Sequence, residues 1–418
     1  MTALGKFQSR TRDTCRICRS RRLFRYIDLG AQPPSNSFVS PSEIDREQRF
    51  PLEVQLCEEC GLSQLTDIVY SEDIFDEYLY LSSTSKALCR HYQGMVDAAL
   101  TSFSPPPGSL IVDIGCNDGI TLKAYPPGRY RLLGVEPSSA GDFARQASFE
   151  VVPEFFNAAL GARLAKSHGS AMLVSATNVF AHVDDIHSFT AGIRALLAPE
   201  GVYIIEFPYL VDMIERCYFD TIYHEHLSYL ALTPLARLFA DNGLRAFRVE
   251  RTEIGASGPA LRLFVGRADG PHAPEASIRQ MLDDEQGWGI SRRQPYERFA
   301  QRVDDTKKRI QGLVSELRAA GHRIGGYGAP AKGNTLLNCL GFTSREIVAV
   351  AENNALKVGK VTPGTHIPIV DDAAFLASGI SHALLLSWNY LDFFLANSDF
   401  IKRGGKFIVP IPEAQIRP

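Results

Sequence analysis

From Leu110 onward, short apolar runs alternate with segments in which apolar residues recur at helical spacing. The runs are LIVDIG, RLLGVEP, AMLVSATN and GVYIIEF, and their alternation with helices predicts parallel strands joined by helical crossovers. A doubly wound α/β sheet follows. Thr233 and Pro234 read as an N-cap and first helical position, with Gly243 closing the helix, so TIYHEHLSY (221–229) lies in the loop leading into it. An amphipathic segment from about Arg292 to Ala320 precedes a second alternating section: RIGGYGAPAKGNTLLN, EIVAVAENN, HALLLSWNY and KFIVPIP. The pattern divides the chain into a small N-terminal module (1–84), a first Rossmann-like α/β domain (85–290), and a helical connector with a second Rossmann-like α/β domain (291–418). No apolar run approaches the roughly 20 residues of a membrane-spanning helix.

Composition changes this picture little. Of 418 residues 45% are hydrophobic and 22% charged, values of an ordinary globular protein with a large core. The net charge of -3, from 44 basic and 47 acidic residues, gives no overall attraction to nucleic acid or to an anionic membrane. The run Arg16, Arg19, Arg21, Arg22 and Arg25 has no apolar neighbour segment that would make it a secretory signal, and reads as a solvated face. A cytoplasmic protein, monomeric or homodimeric, with no nucleic-acid or membrane partner is the expectation.

The eight cysteines refine it. Cys15 and Cys18 in CRIC, with Cys57 and Cys60 in CEEC, form two CxxC knuckles whose thiolates can close one four-sulfur tetrahedral shell around structural zinc. Such a shell leaves no open position for catalysis. Cys89, Cys116, Cys217 and Cys339 are isolated and read as small apolar residues.

Two glycine turns carry the binding signals. In the first, VDIGCNDG, Asp113, Gly115, Asn117, Asp118 and Gly119 follow a strand, and the next strand ends in Glu136 and Pro137, where a carboxylate can accept from ribose hydroxyls. NAD and S-adenosylmethionine both satisfy this, and the absence of GxGxxG favours S-adenosylmethionine, with Asn178 at the end of a third strand. The second turn, Gly325 to Thr335, places Lys332 where backbone amides and an ammonium suit a diphosphate.

These motifs, with NVFAHVDD, IYHEH and PGTHIPIV followed by LSWNY, resemble over nearly the whole chain the S-adenosylmethionine-dependent nucleotide-sugar C-methyltransferases, the deoxysugar C-3 enzymes. The resemblance implies a zinc domain, a cofactor-binding methyltransferase domain and a C-terminal Rossmann-like domain, with the nucleotide-linked keto-deoxysugar between the last two. It carries Tyr80, His182, Tyr223, Glu225 and His226 over as residues lining the reacting sugar, and Tyr78, Tyr327, Lys332, Asn334 and Arg262 as substrate-binding residues. His226 is then the base that removes the C3 proton of a 4-keto sugar, Glu225 orients it or raises its basicity, and Tyr223 and His182 donate to the C4 oxygen. The chain departs from many relatives in reading Gly255-Ala256-Ser257-Gly258-Pro259 where they carry His-Gly-Gly-Ser, a difference that bears on which sugar and carbon are used.

Two other readings of the same residues stand beside this one. A nucleic-acid methyltransferase would grip RNA with the knuckles and arginines, but the Asn/Asp-Pro-Pro-aromatic motif of amino-methylating enzymes is replaced here by Asn178-Val179-Phe180-Ala181. A non-catalytic nucleotide-sugar binder would have no use for IYHEH.

Overall fold

The computed structural model describes residues 7–70, 81–252 and 258–418. The N-terminal module is an antiparallel sheet of β1 (Leu23–Gln32), β2 (Phe50–Cys57) and β3 (Ser63–Leu65). Its fourth strand is borrowed: Ser228–Tyr229, directly after the IYHEH loop, pairs with β3. That pairing sets the loop against the module.

The middle domain opens with α1 (Lys86–Phe103) and contains β4 (Leu110–Ile114), β5 (Arg131–Val135), β6 (Glu150–Val152), β7 (Ala171–Thr177), α2 (Ile186–Leu196), β8 (Leu197–Pro208), α3 (Leu232–Asp241), β9 (Leu244–Thr252) and β10 (Ala260–Arg267). The strand order is β9-β10-β8-β7-β4-β5-β6. β10 alone runs opposite to the other six strands. The runs LIVDI and GVYIIEF are buried along their whole length, as expected for strands covered on both faces.

The cap of α3 differs from the expectation. The helix begins at Leu232, and the acceptors for the Leu232 and Thr233 amides are the two carboxylate oxygens of Glu285, at 2.8 and 2.7 Å. Glu285 belongs to α4 (Ala276–Trp288), so a tertiary contact takes the place that a local threonine would fill.

The connector is α5 (Arg293–Ala319), and its buried stripe of Tyr296, Phe299, Val303, Ile310 and Val314 follows helical spacing. Tyr296 packs against Tyr26 of β1 with ring centroids 4.9 Å apart and planes tilted by 51°, so this helix ties the N-terminal sheet to the C-terminal half. Each such fully buried apolar side chain contributes about 1.5–3 kcal/mol. The C-terminal domain has β11 (Ile324–Tyr327), α6 (Ala331–Leu340), β12 (Val350–Ala351), β13 (Ile369–Val370), β14 (His382–Leu385), β15 (Lys406–Val409) and β16 (Gln415–Arg417), in the order β13-β12-β11-β14-β15-β16. Five strands are parallel and β16 is antiparallel. Buried residues of the four-, seven- and six-stranded sheets belong to one connected apolar cluster.

The arginine run is only partly a solvated face. Arg19, Arg21, Arg22 and Arg25 are exposed, but Arg16 is 2% exposed and paired to Asp184. No helix among the described residues is long and apolar enough to cross a membrane.

Candidate active site

The four knuckle cysteines converge. Cys15 and Cys60 sulfurs lie 3.5 Å apart, as do those of Cys18 and Cys57, and all four fall within 4.8 Å of one another. Thiolates about 2.3 Å from one ion in a tetrahedron stand about 3.8 Å apart, so this donor set fits zinc. Each knuckle is closed by the amide four residues after its first cysteine: Arg19 donates to the Cys15 carbonyl and Gly61 to that of Cys57, both with positive φ (59° and 80°).

A cleft of about 640 Å³ opens between the middle and C-terminal domains, with residues of the N-terminal module in its wall. On the middle-domain side, Gly115 turns the chain after β4 with φ 68°, and a Cβ there would meet Val179 Cγ2 at 2.3 Å. The turn is held by Glu136 at the end of β5, whose Oε2 accepts from the Asn117 amide at 2.9 Å while Oε1 accepts from the Ser138 amide at 2.9 Å. Carboxylate oxygens carry two lone pairs each, so Glu136 keeps acceptor capacity toward the cleft, which it lines with Pro137 and Asn178. Asn178 has φ 57° and donates to the Tyr92 hydroxyl at 2.9 Å. Asp113 lies beneath the turn, accepting from Ser175 Oγ at 2.6 Å, and burial pushes its carboxyl up to about 7. Asn117 and Asp118 accept from the Ser82 and Ser83 amides and pin the 81–84 segment to the turn. Gly119, φ 83°, completes it.

The IYHEH loop forms one wall of the cleft. His226 Nδ1 faces the Thr221 carbonyl at 2.8 Å, and because a carbonyl only accepts, the proton sits on Nδ1 and Nε2 keeps a lone pair. The Tyr223 hydroxyl donates to that nitrogen at 2.9 Å. His182 Nδ1 donates to the Glu225 carbonyl at 2.6 Å, and its ring lies 5.0 Å from that of His226. Burial lowers the His226 imidazole to about 3, so it is neutral near pH 7. Burial instead raises the Glu225 carboxyl to about 7. The carboxylate is not what orients His226: Oε1 accepts from Asn36 Nδ2 at 3.0 Å, and Oε2 is buried without a hydrogen-bond partner. Orientation comes from the Thr221 carbonyl. His224 turns away, its Nε2 on the Pro51 carbonyl at 3.2 Å and its ring against Phe50.

The opposite wall is cationic. After β11, Gly328 (φ 80°) turns the chain, and Glu352 Oε2 accepts the Ala329 amide at 3.0 Å. Lys332 Nζ donates to Asn389 Oδ1 at 2.5 Å and sits 4.1 Å from the Trp388 ring centroid. Burial lowers this ammonium to about 8, against the opposing pull of Asp220. Lys357, whose Nζ donates to the Ala329 carbonyl at 2.9 Å, also lines the cleft.

Three sequence-proposed substrate residues are not brought to this cleft. Arg262 is the cross-strand neighbour of Glu206, and its Nη2 is 2.6 Å from that carboxylate inside the sheet packing. Tyr327 points into a cluster with Phe394, Phe400 and Phe407 and bonds Ser398 Oγ at 3.0 Å. Asn334 reaches the Ser35 carbonyl at 2.7 Å and ties the C-terminal domain to the N-terminal module. Tyr78 and Tyr80, with residues 255–257 of the departing turn, lie outside the described residues. Sequence reasoning missed Asn36 and Lys357, which sit in no recognisable spacing and reach the cleft only through domain packing.

A mainly parallel sheet of this order, with a glycine turn and an acidic strand end at its carboxyl edge, is the architecture of an S-adenosylmethionine-dependent methyltransferase domain. Family models agree along the chain: a zinc binding domain at residues 15–75, a methyltransferase domain at 88–249 and a C-methyltransferase C-terminal domain at 255–412. The C-methyltransferase NovU of Streptomyces niveus is 33% identical over 407 residues, covering 97% of this chain and 96% of that protein. The chain therefore belongs to the zinc-binding C-methyltransferase family and is an S-adenosylmethionine-dependent C-methyltransferase. Among solved structures, magnesium protoporphyrin IX methyltransferase from Synechocystis PCC 6803 with bound SAH is 16% identical, covering 47% of this chain and 91% of its own, at a TM-score of 0.34. An S-adenosylmethionine-dependent methyltransferase from Clostridium acetobutylicum ATCC 824 is 8% identical, covering 44% and 92%, at 0.34.

Proposed function

We propose that the enzyme methylates a carbon, C3, of a nucleotide-linked 4-keto-6-deoxy sugar through an enolate. The observation that carries this reading is the shared cleft, which the Tyr223–His226 pair and the Glu225 carboxyl line together with the cofactor turn, the buried Lys332 and the half-buried Lys357. Lys332 and Lys357 suit the diphosphate of a nucleotide sugar, and the sugar then extends toward the loop. The Tyr223 hydroxyl turns its hydrogen from His226 Nε2 to the C4 oxygen, the freed Nε2 lone pair accepts the C3 proton, and the electron pair of the broken C–H bond enters the C3–C4 enolate. Tyr223 stabilises charge developing on the C4 oxygen, His182, its Nδ1 proton committed to the Glu225 carbonyl, holds that loop in place, and the buried Glu225 carboxyl, near pKa 7, exchanges a proton at the same wall.

Glu136, Pro137, Asn178 and the Gly115 turn would hold S-adenosylmethionine, which would supply an electrophilic methyl group. The protein's own contribution is to hold the sugar carbon facing that group and to exclude water from the enolate. Incubation with S-adenosylmethionine and dTDP-, GDP- and CDP-4-keto-6-deoxy sugars in deuterated water, read by mass spectrometry, tests the proposal. One added methyl with exchange of the C3 hydrogen is expected, and neither event across the panel would sink it.

A further inference from the structure

The two residues between the first pair of zinc-binding cysteines do not face solvent. Arg16 and Ile17 are both buried, and both hold the segment that follows His182. Arg16 Nη1 donates to Asp184 Oδ1 at 2.6 Å and to the Asp184 carbonyl at 3.0 Å. The Ile17 carbonyl accepts from His187 Nε2 at 2.8 Å. Arg10 closes on the same Asp184 carboxylate at 2.5 Å and Arg12 stands 3.8 Å away.

From there the contacts run without a break to the reaction wall. His182, two residues before Asp184, donates to the Glu225 carbonyl, and Ala181 accepts from the Leu227 amide at 2.8 Å. The N-terminal module also touches the wall directly through Asn36 and Glu225. A metal that fixes Cys15 and Cys18 fixes Arg16 and Ile17 between them, and a planar guanidinium transmits that placement with little loss to rotamer freedom.

We propose that Arg16 and Asp184 are positioning residues, through which the first zinc knuckle sets the placement of His182 and of the Tyr223–His226 loop. The metal module is then part of the reaction site's framework. This rests on the reading of His182 as a group at the reaction wall.

The test uses the full-length, zinc-loaded protein and the variants Arg16→Gln, Arg16→Lys, Asp184→Asn, the Arg16→Gln/Asp184→Asn double, and His182→Asn. Arg22→Gln, which breaks only the exposed pair with Glu59 on the same module, is the control and keeps wild-type turnover. Zinc content, S-adenosylmethionine affinity by calorimetry, and kcat and KM are read. Arg16→Gln and Asp184→Asn are each expected to lower kcat at least tenfold with cofactor affinity within twofold. The double should lose no more than either single, and Arg16→Lys should recover part of the loss.

If Arg16→Gln does not fold or loses zinc, Asp184→Asn decides from the other side of the contact. Turnover within twofold of wild type in a folded Asp184→Asn protein overturns the proposal. So do a parallel loss of cofactor affinity and additive losses in the double. A fully active His182→Asn variant would instead overturn the site reading, whereas an inactive one beside fully active Arg16 and Asp184 variants removes only the positioning role.

Discussion

The chain builds the same device twice and charges it oppositely. In the middle domain Gly115 ends β4 in a left-handed turn, and Glu136, one strand over, accepts the Asn117 amide. In the C-terminal domain Gly328 follows β11 in a left-handed turn, and Glu352, one strand over, accepts the Ala329 amide. Around the first turn lie Asp113, Asp118 and Glu136, whereas beside the second the single carboxylate of Glu352 is joined by Lys332 and Lys357. A parallel sheet with a glycine turn thus dictates where a ligand sits, and side chains one helical turn away decide its charge. The acidic turn suits a sulfonium cation; the basic one suits an anionic group.

The largest effect is expected where neither turn acts but the loop between them does. His226→Asn should lower kcat by about 10²–10⁴-fold while calorimetry finds S-adenosylmethionine affinity unchanged. Retained turnover would remove His226 as the base. Next, Lys332→Met should raise KM for the proposed nucleotide-sugar substrate roughly 10- to 100-fold, the loss of a charge-assisted contact, with cofactor affinity intact. Equal loss of both affinities would mean that the two turns do not divide the ligands by charge.

The glycines sharpen the comparison further. Gly115→Ala forces a left-handed alanine, which costs about 1–2 kcal/mol, and drives its Cβ into the stiff Val179 side chain. Gly328→Ala meets Ser387 Oγ, which can rotate away, so denaturant unfolding should show the smaller loss there.

The smallest effect concerns pH. The Glu225 carboxyl is raised from 4.5 to about 7 in the fold, so its contribution to stability is fully present below about 4.5 and is lost as pH rises through about 7. Glu225→Gln does not titrate. The midpoint difference between variant and wild type should therefore move in the variant's favour by about 2–4 °C from pH 4.5 to pH 8. No change across that range would mean that the carboxyl is not buried in its ionised form.

The sheets, the knuckles and both glycine turns were legible in the sequence because each rests on local chemistry. Alternating apolar runs specify strands, a two-residue gap brings thiolates together, and left-handed turns favour glycine. The IYHEH loop was equally legible as a cluster. What it does with its protons was not, since the neutral state of His226 and the raised carboxyl of Glu225 come from burial under residues far along the chain.

Tertiary structure alone decided the rest. It turned Arg262 into an internal partner of Glu206, Tyr327 into an aromatic core residue and Asn334 into a tie to Ser35, each of which the family resemblance had assigned to substrate. It also drew Arg16 out of an apparently solvated arginine run and set Asn36 and Lys357 in the cleft. Sequence spacing determines which way a residue faces on its own element. Which neighbour that face meets depends on how three sheets pack, and only the folded chain settles it.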